Sequence, residues 1–214
     1  MGSDVPKPFI ELNGKSILQR TIECFLKTEG LEIVIVVTSE DKFAGCAQIL
    51  DNIQENGIDL KLVKGGVERQ YSIWNAIREL PNDIELVAIH DAVRPFVKTE
   101  YIDKCFDAAD EFGGAVLSIP VKDTIKKINE DHIVIETPER SKLWQAQTPQ
   151  VFRKDIIFKA YKLAIKNSFL GTDDSSLVER MGETVKVIEG GRENLKITFP
   201  IDLKVAELII NEGL

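Results

Sequence analysis

The sequence predicts an α/β fold, a mostly parallel sheet with helices on both faces and a β-hairpin arm inserted into the frame. Three observations predict it. Short β-branched runs recur between longer stretches with helical apolar spacing, the pattern of repeated βα units. The first of these runs, Leu31 to Thr38, is apolar almost throughout, as a strand covered on both faces must be. Around residues 122–142 two short strand-like pieces flank a polar turn and break the alternation.

Taken in order, Ile17, Leu18, Ile22, Phe25 and Leu26 form the apolar stripe of a first helix, and Leu31 to Thr38 reads as a central parallel strand. Further strands are predicted at Leu60 to Val63, Leu86 to Ile89, Ala115 to Val121 and Thr184 to Ile188. Between the fourth and fifth of these five strands, Thr124 to Ile128 and His132 to Ile135 enclose Asn-Glu-Asp, a hairpin too small to stand alone in water and therefore expected to pack on a second subunit. Phe158, Tyr161, Leu163 and Ala164 mark a later helix. A last helix is predicted from Asp202, with Pro200 just ahead and Asp202 placed to cap amide groups.

With 214 residues the chain can bury a core without disulfide or metal staples, and one domain over residues 1–214 is expected. The hydrophobic share of 43% beside 29% charged residues excludes a disordered or fibrous chain. A net charge of −8 argues against general nucleic-acid binding, so any phosphate must meet a local cluster of cations. Three cysteines, Cys24, Cys46 and Cys105, have no Cys-x-x-Cys spacing, which suggests neither a disulfide framework nor zinc and makes a reducing cytosol the simplest compartment. No run approaches the roughly 18 apolar residues of a membrane span, and no apolar signal region opens the chain. A cytoplasmic protein with no membrane partner is expected.

In open parallel sheets ligands bind beyond the carboxyl ends of the strands. After Leu60 to Val63, Lys64-Gly-Gly-Val-Glu-Arg-Gln-Tyr-Ser72 offers paired glycines whose amides can approach a base or an anion; the same residues serve equally as a tight turn entering a helix. After Leu86 to Ile89, His90-Asp-Ala-Val-Arg-Pro95 sets a carboxylate at a strand end and a guanidinium three residues later. Asp91 can hold Mg²⁺ against a triphosphate and Arg94 can clamp a phosphate, or the two form a buried ion pair; His90 reads as a satisfied structural histidine. Trp144-Gln-Ala-Gln-Thr-Pro-Gln-Val-Phe152 presents amides and the Thr148 hydroxyl, either to a polyol phosphate or simply as an edge strand. Gly171-Thr-Asp-Asp-Ser-Ser176 reads as a helix cap. Lys196, in Gly190-Gly-Arg-Glu-Asn-Leu-Lys-Ile-Thr198, can offset charge at a phosphorus centre or merely be solvated.

Val5-Pro-Lys-Pro-Phe9, Gly65-Gly-Val-Glu-Arg69, His90-Asp-Ala-Val-Arg-Pro95, Asp123-Thr124, Gln147-Thr-Pro-Gln150, Thr172-Asp-Asp174 and Asn194-Leu-Lys-Ile-Thr198 resemble, in that order, the 2-C-methyl-D-erythritol 4-phosphate cytidylyltransferases. The resemblance covers essentially the whole chain and implies a Rossmann-like sheet and a Mg²⁺-dependent attack of methylerythritol phosphate on the α-phosphorus of CTP, with release of pyrophosphate, in non-mevalonate isoprenoid synthesis. By that resemblance Lys7 and Lys196 are the phosphate-binding lysines, and Asp91 positions metal and substrate. Gly65, Gly66, Ser72 and Ala92 match the cytosine and ribose pocket. Arg94 and Thr148 match contacts to the polyol phosphate, while Thr124 and Arg140 match residues carried on the arm into the partner's site of a homodimer.

The family opens on a strand and a loop of the type Ala-Ala-Gly-x-Gly-x-Arg-Met-Gly, whereas this chain opens at Met1-Gly2 with the tail of that loop alone. An amino-terminally truncated domain with feeble or no turnover is expected from that departure, because the loop's amides would cradle the triphosphate. Two other readings are ribitol 5-phosphate cytidylyltransferase, which shares much of the motif series, and a noncatalytic nucleotide-binding homologue. Thr172-Asp-Asp-Ser-Ser-Leu-Val-Glu179 resembles the methylerythritol branch more closely.

Overall fold

The structure, a computed structural model, describes residues 5–53 and 57–213; the loop tail read at Met1-Gly2 lies outside them. In chain order the elements are β1 (Glu11–Leu12), β2 (Lys15–Ser16), α1 (Ile17–Glu23), β3 (Ile33–Thr38), α2 (Phe43–Asp51), β4 (Asp59–Lys64), α3 (Arg69–Arg78), β5 (Leu86–Ile89), α4 (Thr99–Phe112) and β6 (Gly114–Pro120). They continue with β7 (Lys127–Ile128), β8 (Val134–Glu136), β9 (Trp144–Arg153), α5 (Lys154–Lys166), α6 (Asp174–Glu179), β10 (Lys186–Glu189) and α7 (Pro200–Glu212). The five strands read from β-branched runs are β3, β4, β5, β6 and β10.

Strands β3 and β4 pair in parallel, with Val36 opposite Leu62. A second sheet has the order β10-β6-β9-β5. Within it β10 is parallel to β6, but β9 is antiparallel to both β6 and β5. The sheet is therefore mixed where the sequence predicts a mostly parallel one. The cause is the connection: no crossover helix separates β6 from β9, so the chain leaves β6 into the β7–β8 hairpin and returns alongside it, which only an antiparallel pairing permits. The stretch Trp144 to Phe152 is correspondingly an internal strand, not an edge.

Successive residues of these strands face opposite layers, as the pleat requires. Ala115 and Leu117 of β6 and Val151 of β9 pack with Ile102, Cys105 and Ala109 of α4. The next residue of β9, Phe152, joins Ile89 on the other face, against Ile77 of α3, Ile157 and Tyr161 of α5 and Leu177 of α6. Helices thus cover both faces. A third cluster joins Val36 to Leu18 and Ile22 of α1 and to Cys46 and Leu50 of α2. Helix α4 stops at Gly113, whose φ of 92° lies in the left-handed region and whose added Cβ would meet Ile156 Cδ1 at 2.7 Å. Both the conformation and the close approach call for glycine there.

Strands β3 and β5 are not paired with each other; they border a common cavity of about 850 Å³, lined also by Leu18, Phe25 and Ile73 and reaching His90, Asp91 and Ala92. At the carboxyl end α7 begins at Pro200 and not at Asp202, yet the Asp202 carboxylate does take amides, those of Thr198 and Phe199, at 2.7 Å each. The β7–β8 arm is antiparallel, with Lys127 opposite Glu136, and leaves Ile133, Val134 and Ile135 exposed. Among the described residues no helix is long and apolar enough to cross a membrane.

Phe152 is fully buried in a strand that ties β5 to β6. Phe152→Ala is expected to lower the unfolding free energy by about 3–5 kcal/mol in urea denaturation, from lost burial plus the cavity left behind. A loss under about 1 kcal/mol would show that the two halves of the sheet are not coupled through this side chain.

Candidate active site

The turn after β5 closes on itself. The Arg94 backbone N–H donates to the Asp91 carbonyl at 3.1 Å, and the Arg94 Nε donates to Asp91 Oδ2 at 3.0 Å. Lys196 brings its Nζ to 3.2 Å from that same oxygen, so one carboxylate atom carries two cations. Asp91 and Arg94 are largely shielded from solvent, while Lys196 is half-exposed and reaches in from outside. Burial alone would raise the Asp91 carboxyl, but the charge of Lys196 and the hydrogen bond and charge of Arg94 outweigh it and hold the group below its ordinary value. It is ionised at neutral pH.

Lys196 is placed by its own strand of backbone. The Ile197 N–H donates to the Val93 carbonyl at 2.9 Å, and Lys7 Nζ donates to the Thr198 carbonyl at 2.7 Å. Asp91, Arg94 and Lys196 thus meet at one point, and Lys7 is tied to the backbone that carries Lys196. Arg94 also donates through Nη1 to the Asn194 carbonyl at 2.7 Å. Asn194, fully buried, donates from Nδ2 to the Gln147 side chain at 3.0 Å and to the Thr148 carbonyl at 2.9 Å. The Thr148 hydroxyl accepts from the Asp91 N–H at 3.1 Å and lies 3.0 Å from His90 Nδ1. Thr148 therefore touches the same turn that holds Asp91. Burial, acting against the pull of the Asp91 charge, pushes the His90 imidazole down to about 4, so the ring is neutral and is no proton reservoir at pH 7.

On the far side of the cavity, the loop between β4 and α3 is shaped from within. Gly65 N–H donates to the Thr38 carbonyl at 2.8 Å, and Gly66 N–H donates to Ser72 Oγ at 3.0 Å, whose own proton goes to the Glu68 carbonyl at 3.1 Å. A Cβ on Gly66 would come within 2.5 Å of Tyr71 Cβ, so only glycine fits. The two glycine amides hold the loop's form and are not presented to an anion, which departs from the simple reading of paired glycines as a phosphate cradle. Ala92 offers its carbonyl to Thr21 Oγ1 at 3.1 Å, fastening the turn to α1.

Several residues that the motif reading passed over hold this loop in place. Arg69, the first residue of α3, makes a forked contact to Asp174, Nη1 to Oδ1 at 3.1 Å and Nη2 to Oδ2 at 2.7 Å. Asp174 is fully buried and also accepts from the Tyr161 hydroxyl. Asp173, the N-cap of α6, accepts from the Ser176 N–H at 3.0 Å and from Gln150 Nε2 at 2.9 Å. The cap reading of Gly171 to Ser176 is what the structure has. The signal missed was the pairing of buried polar residues of β9 with partners distant in sequence, Gln147 with Asn194 and Gln150 with Asp173.

Thr124 and Arg140 sit elsewhere, exposed at the base of the arm, where Arg140 Nη1 donates to the Lys122 carbonyl at 2.8 Å. No contact joins them to the Asp91 patch among the described residues. The described residues contain no group of three or more His, Cys, Asp or Glu able to hold a metal ion. A single carboxylate suits Mg²⁺, which keeps most of its shell as water and substrate phosphate and takes one or two protein carboxylates. The patch offers cations and one carboxylate, a set suited to neutralising phosphate charge.

Removing the acceptor of the Arg69 fork should be felt in folding. Asp174→Ala is expected to cost about 1–3 kcal/mol by urea denaturation, since it leaves the Tyr161 hydroxyl and the guanidinium without their partner; an unchanged midpoint would show that water replaces the carboxylate at no cost.

Comparison with known proteins follows the same lines. The family model for IspD, 2-C-methyl-D-erythritol 4-phosphate cytidylyltransferase, matches residues 1–212. The 2-C-methyl-D-erythritol 4-phosphate cytidylyltransferase of Caldanaerobacter subterraneus subsp. tengcongensis is 45% identical over 213 residues, 99% of this chain and 93% of that protein. That of Clostridioides difficile is 42% identical over 212 residues, 99% of this chain and 88% of that protein. The crystal structure of the 4-diphosphocytidyl-2C-methyl-D-erythritol synthase of Anaerococcus prevotii superposes with a TM-score of 0.89 at 31% identity, over 98% of this chain and 92% of that one. Motif order, the Asp91 patch and these likenesses agree: the chain belongs to the IspD family of 2-C-methyl-D-erythritol 4-phosphate cytidylyltransferases.

Proposed function

We propose that this protein transfers CMP from CTP to 2-C-methyl-D-erythritol 4-phosphate and releases pyrophosphate, as a step of non-mevalonate isoprenoid synthesis. The observation that carries the reading is the Asp91 Oδ2 atom shared by Arg94 and Lys196 within a family named for that reaction. A phosphate oxygen of the polyol attacks the α-phosphorus of CTP, a bond to phosphorus forms, and the bond to the pyrophosphate oxygen breaks. The attacking group is already an anion, so no protein nucleophile and no general base are required, and catalysis reduces to alignment and charge neutralisation.

Lys7 and Lys196 would neutralise the charge developing around the α-phosphorus, and Arg94 would clamp the polyol phosphate beside Thr148. Gly65, Gly66, Ser72 and Ala92 would frame the cytosine and ribose with backbone groups. Asp91 would hold Mg²⁺, which when bound supplies positive charge to the phosphates of CTP. Neutral, enclosed His90 takes no proton in this scheme.

The arm supports a homodimer. Ile128, Ile133, Val134 and Ile135 are exposed on a two-stranded ribbon that cannot be stable by itself, and a second copy would cover them and receive Thr124 and Arg140 at its polyol phosphate. Three free cysteines support a reducing, cytoplasmic setting.

Three measurements test this. Asp91→Ala and Lys196→Ala should each lower pyrophosphate release by roughly 10²-fold or more with CTP and the polyol phosphate, and near-normal rates would refute the assigned roles. If CTP binds with Mg²⁺ and no pyrophosphate forms with either methylerythritol or ribitol phosphate, even in a chain that carries the family's Gly-rich loop, the enzymatic reading itself fails. Sedimentation of the chain with residues 122–142 replaced by a short turn should give a monomer where the parent gives a dimer; a dimer that survives the deletion rules out the arm as the interface.

A further inference from the structure

The imidazole of His90 lies where the Asp91–Arg94 turn meets β9. Its Nε2 is 3.1 Å from the Arg94 carbonyl and its Nδ1 is 3.0 Å from Thr148 Oγ1. A carbonyl oxygen can only accept, so Nε2 carries the hydrogen and donates to it. With Nε2 as the protonated nitrogen, Nδ1 of the neutral ring is an acceptor, and the proton it takes is that of the Thr148 hydroxyl. The hydroxyl oxygen in turn accepts the Asp91 N–H at 3.1 Å. Every hydrogen bond in this ring of contacts therefore has one direction, from Asp91 N–H to Thr148, from Thr148 to His90, and from His90 to the Arg94 carbonyl.

The two ends of the chain of bonds are the two ends of the turn. His90 begins the segment whose last residue, Arg94, it holds by the carbonyl, and Arg94 then returns its Nε to the Asp91 carboxylate. Phe25 supports the ring edge-on, with centroids 4.9 Å apart and planes at 65°. His90 also lines the cavity between β3 and β5, and its two hydrogen bonds and Phe25 hold the ring.

We infer that His90 is a positioning residue for nucleotidyl transfer: by bridging Thr148 to the Arg94 carbonyl it fixes the Asp91–Arg94 turn, and with it the carboxylate and guanidinium that meet phosphate. The inference rests on the assignment of Asp91 and Arg94 to metal and polyol phosphate. It makes a distinction that a purely structural histidine would not, because the cytosine loop at Gly65 and Gly66 lies on the other side of the cavity and has its own internal bonds.

Steady-state kinetics of His90→Phe, His90→Gln and Thr148→Val with CTP, Mg²⁺ and methylerythritol phosphate test it. His90→Phe keeps an aromatic ring against Phe25 but loses both bonds, and should lower kcat about tenfold while the KM for CTP stays within about twofold. His90→Gln, whose amide can still donate to the Arg94 carbonyl, should recover part of that loss. His90→Phe and Thr148→Val should be non-additive, because both cut the same chain of bonds. A CTP KM that rises in step with the loss of kcat, full additivity, or a His90→Phe enzyme with unchanged kcat would each overturn the proposal.

A readout that needs no turnover separates this inference from the assignment beneath it. Nitrogen-15 spectra of the imidazole in the full chain should show a protonated Nε2 and a bare Nδ1, with the bare nitrogen's resonance altered by Thr148→Val. A protonated Nδ1 overturns the inference even in an active enzyme. The expected tautomer in a protein inactive towards every polyol phosphate would instead overturn the assignment of Asp91 and Arg94, and the catalytic part of the inference with it.

Discussion

One oxygen atom, Asp91 Oδ2, sits between a guanidinium and an ammonium, and the arrangement of the site depends on that sharing. A carboxylate shielded as Asp91 is would lose more by leaving water than it gains from one partner. Two cations and a short turn remedy this and leave the group ionised. The same arrangement sets the limits of the chemistry. Positive charge gathered around a carboxylate can receive phosphate and metal together, whereas it offers no activated nucleophile, and a phosphate substrate requires none.

Holding that atom in place takes contributions from distant parts of the chain. Lys196 arrives on backbone that bonds Val93, Arg94 reaches the Asn194 carbonyl, and Asn194 reads both Gln147 and Thr148 of β9. Gln150 then connects β9 to Asp173, and the next residue, Asp174, anchors Arg69 at the start of α3. Buried polar groups are costly when half-satisfied and rigid when paired. The run of amides and acids through the middle of the mixed sheet accordingly acts as a frame that sets the distance between the Asp91 turn and the Gly65–Gly66 loop. The antiparallel course of β9 makes this possible, because it carries Gln147 and Thr148 back past the carboxyl end of β5.

Much of this was legible in the sequence, for reasons that differ by element. β3 and β5 were readable because strands covered on both faces are apolar in an unbroken run, and α5 because its stripe repeats at helical spacing. The direction of β9 was not readable, since periodicity reports which residues are buried and is silent on which way a strand runs. Asp91, Arg94 and Lys196 were singled out from their positions after strands and by family resemblance, and the structure brings all three to one point. Arg69 and Asp174 went unassigned because their contact spans more than a hundred residues, a separation at which local spacing carries no signal. The glycine pair reads in the sequence as amides open to a base or anion or as a tight turn, and in the structure Ser72 sits where it takes one of those amides. A serine six residues after a glycine looks like an ordinary helix residue until the loop is closed.

The acidic surface and the basic site are parts of one physical argument. With a net charge of −8 the protein as a whole repels polyanions, and long phosphate chains gain nothing by approaching it. A small anion is different: it can meet a local cluster of cations such as Arg94 and Lys196 without spanning the rest of the surface. The contrast between global repulsion and a local cluster therefore selects ligands by size as well as by charge. A long polyanion would have to approach a molecule of net charge −8 with many phosphates at once, whereas a small anion need meet only the cations at the turn after β5.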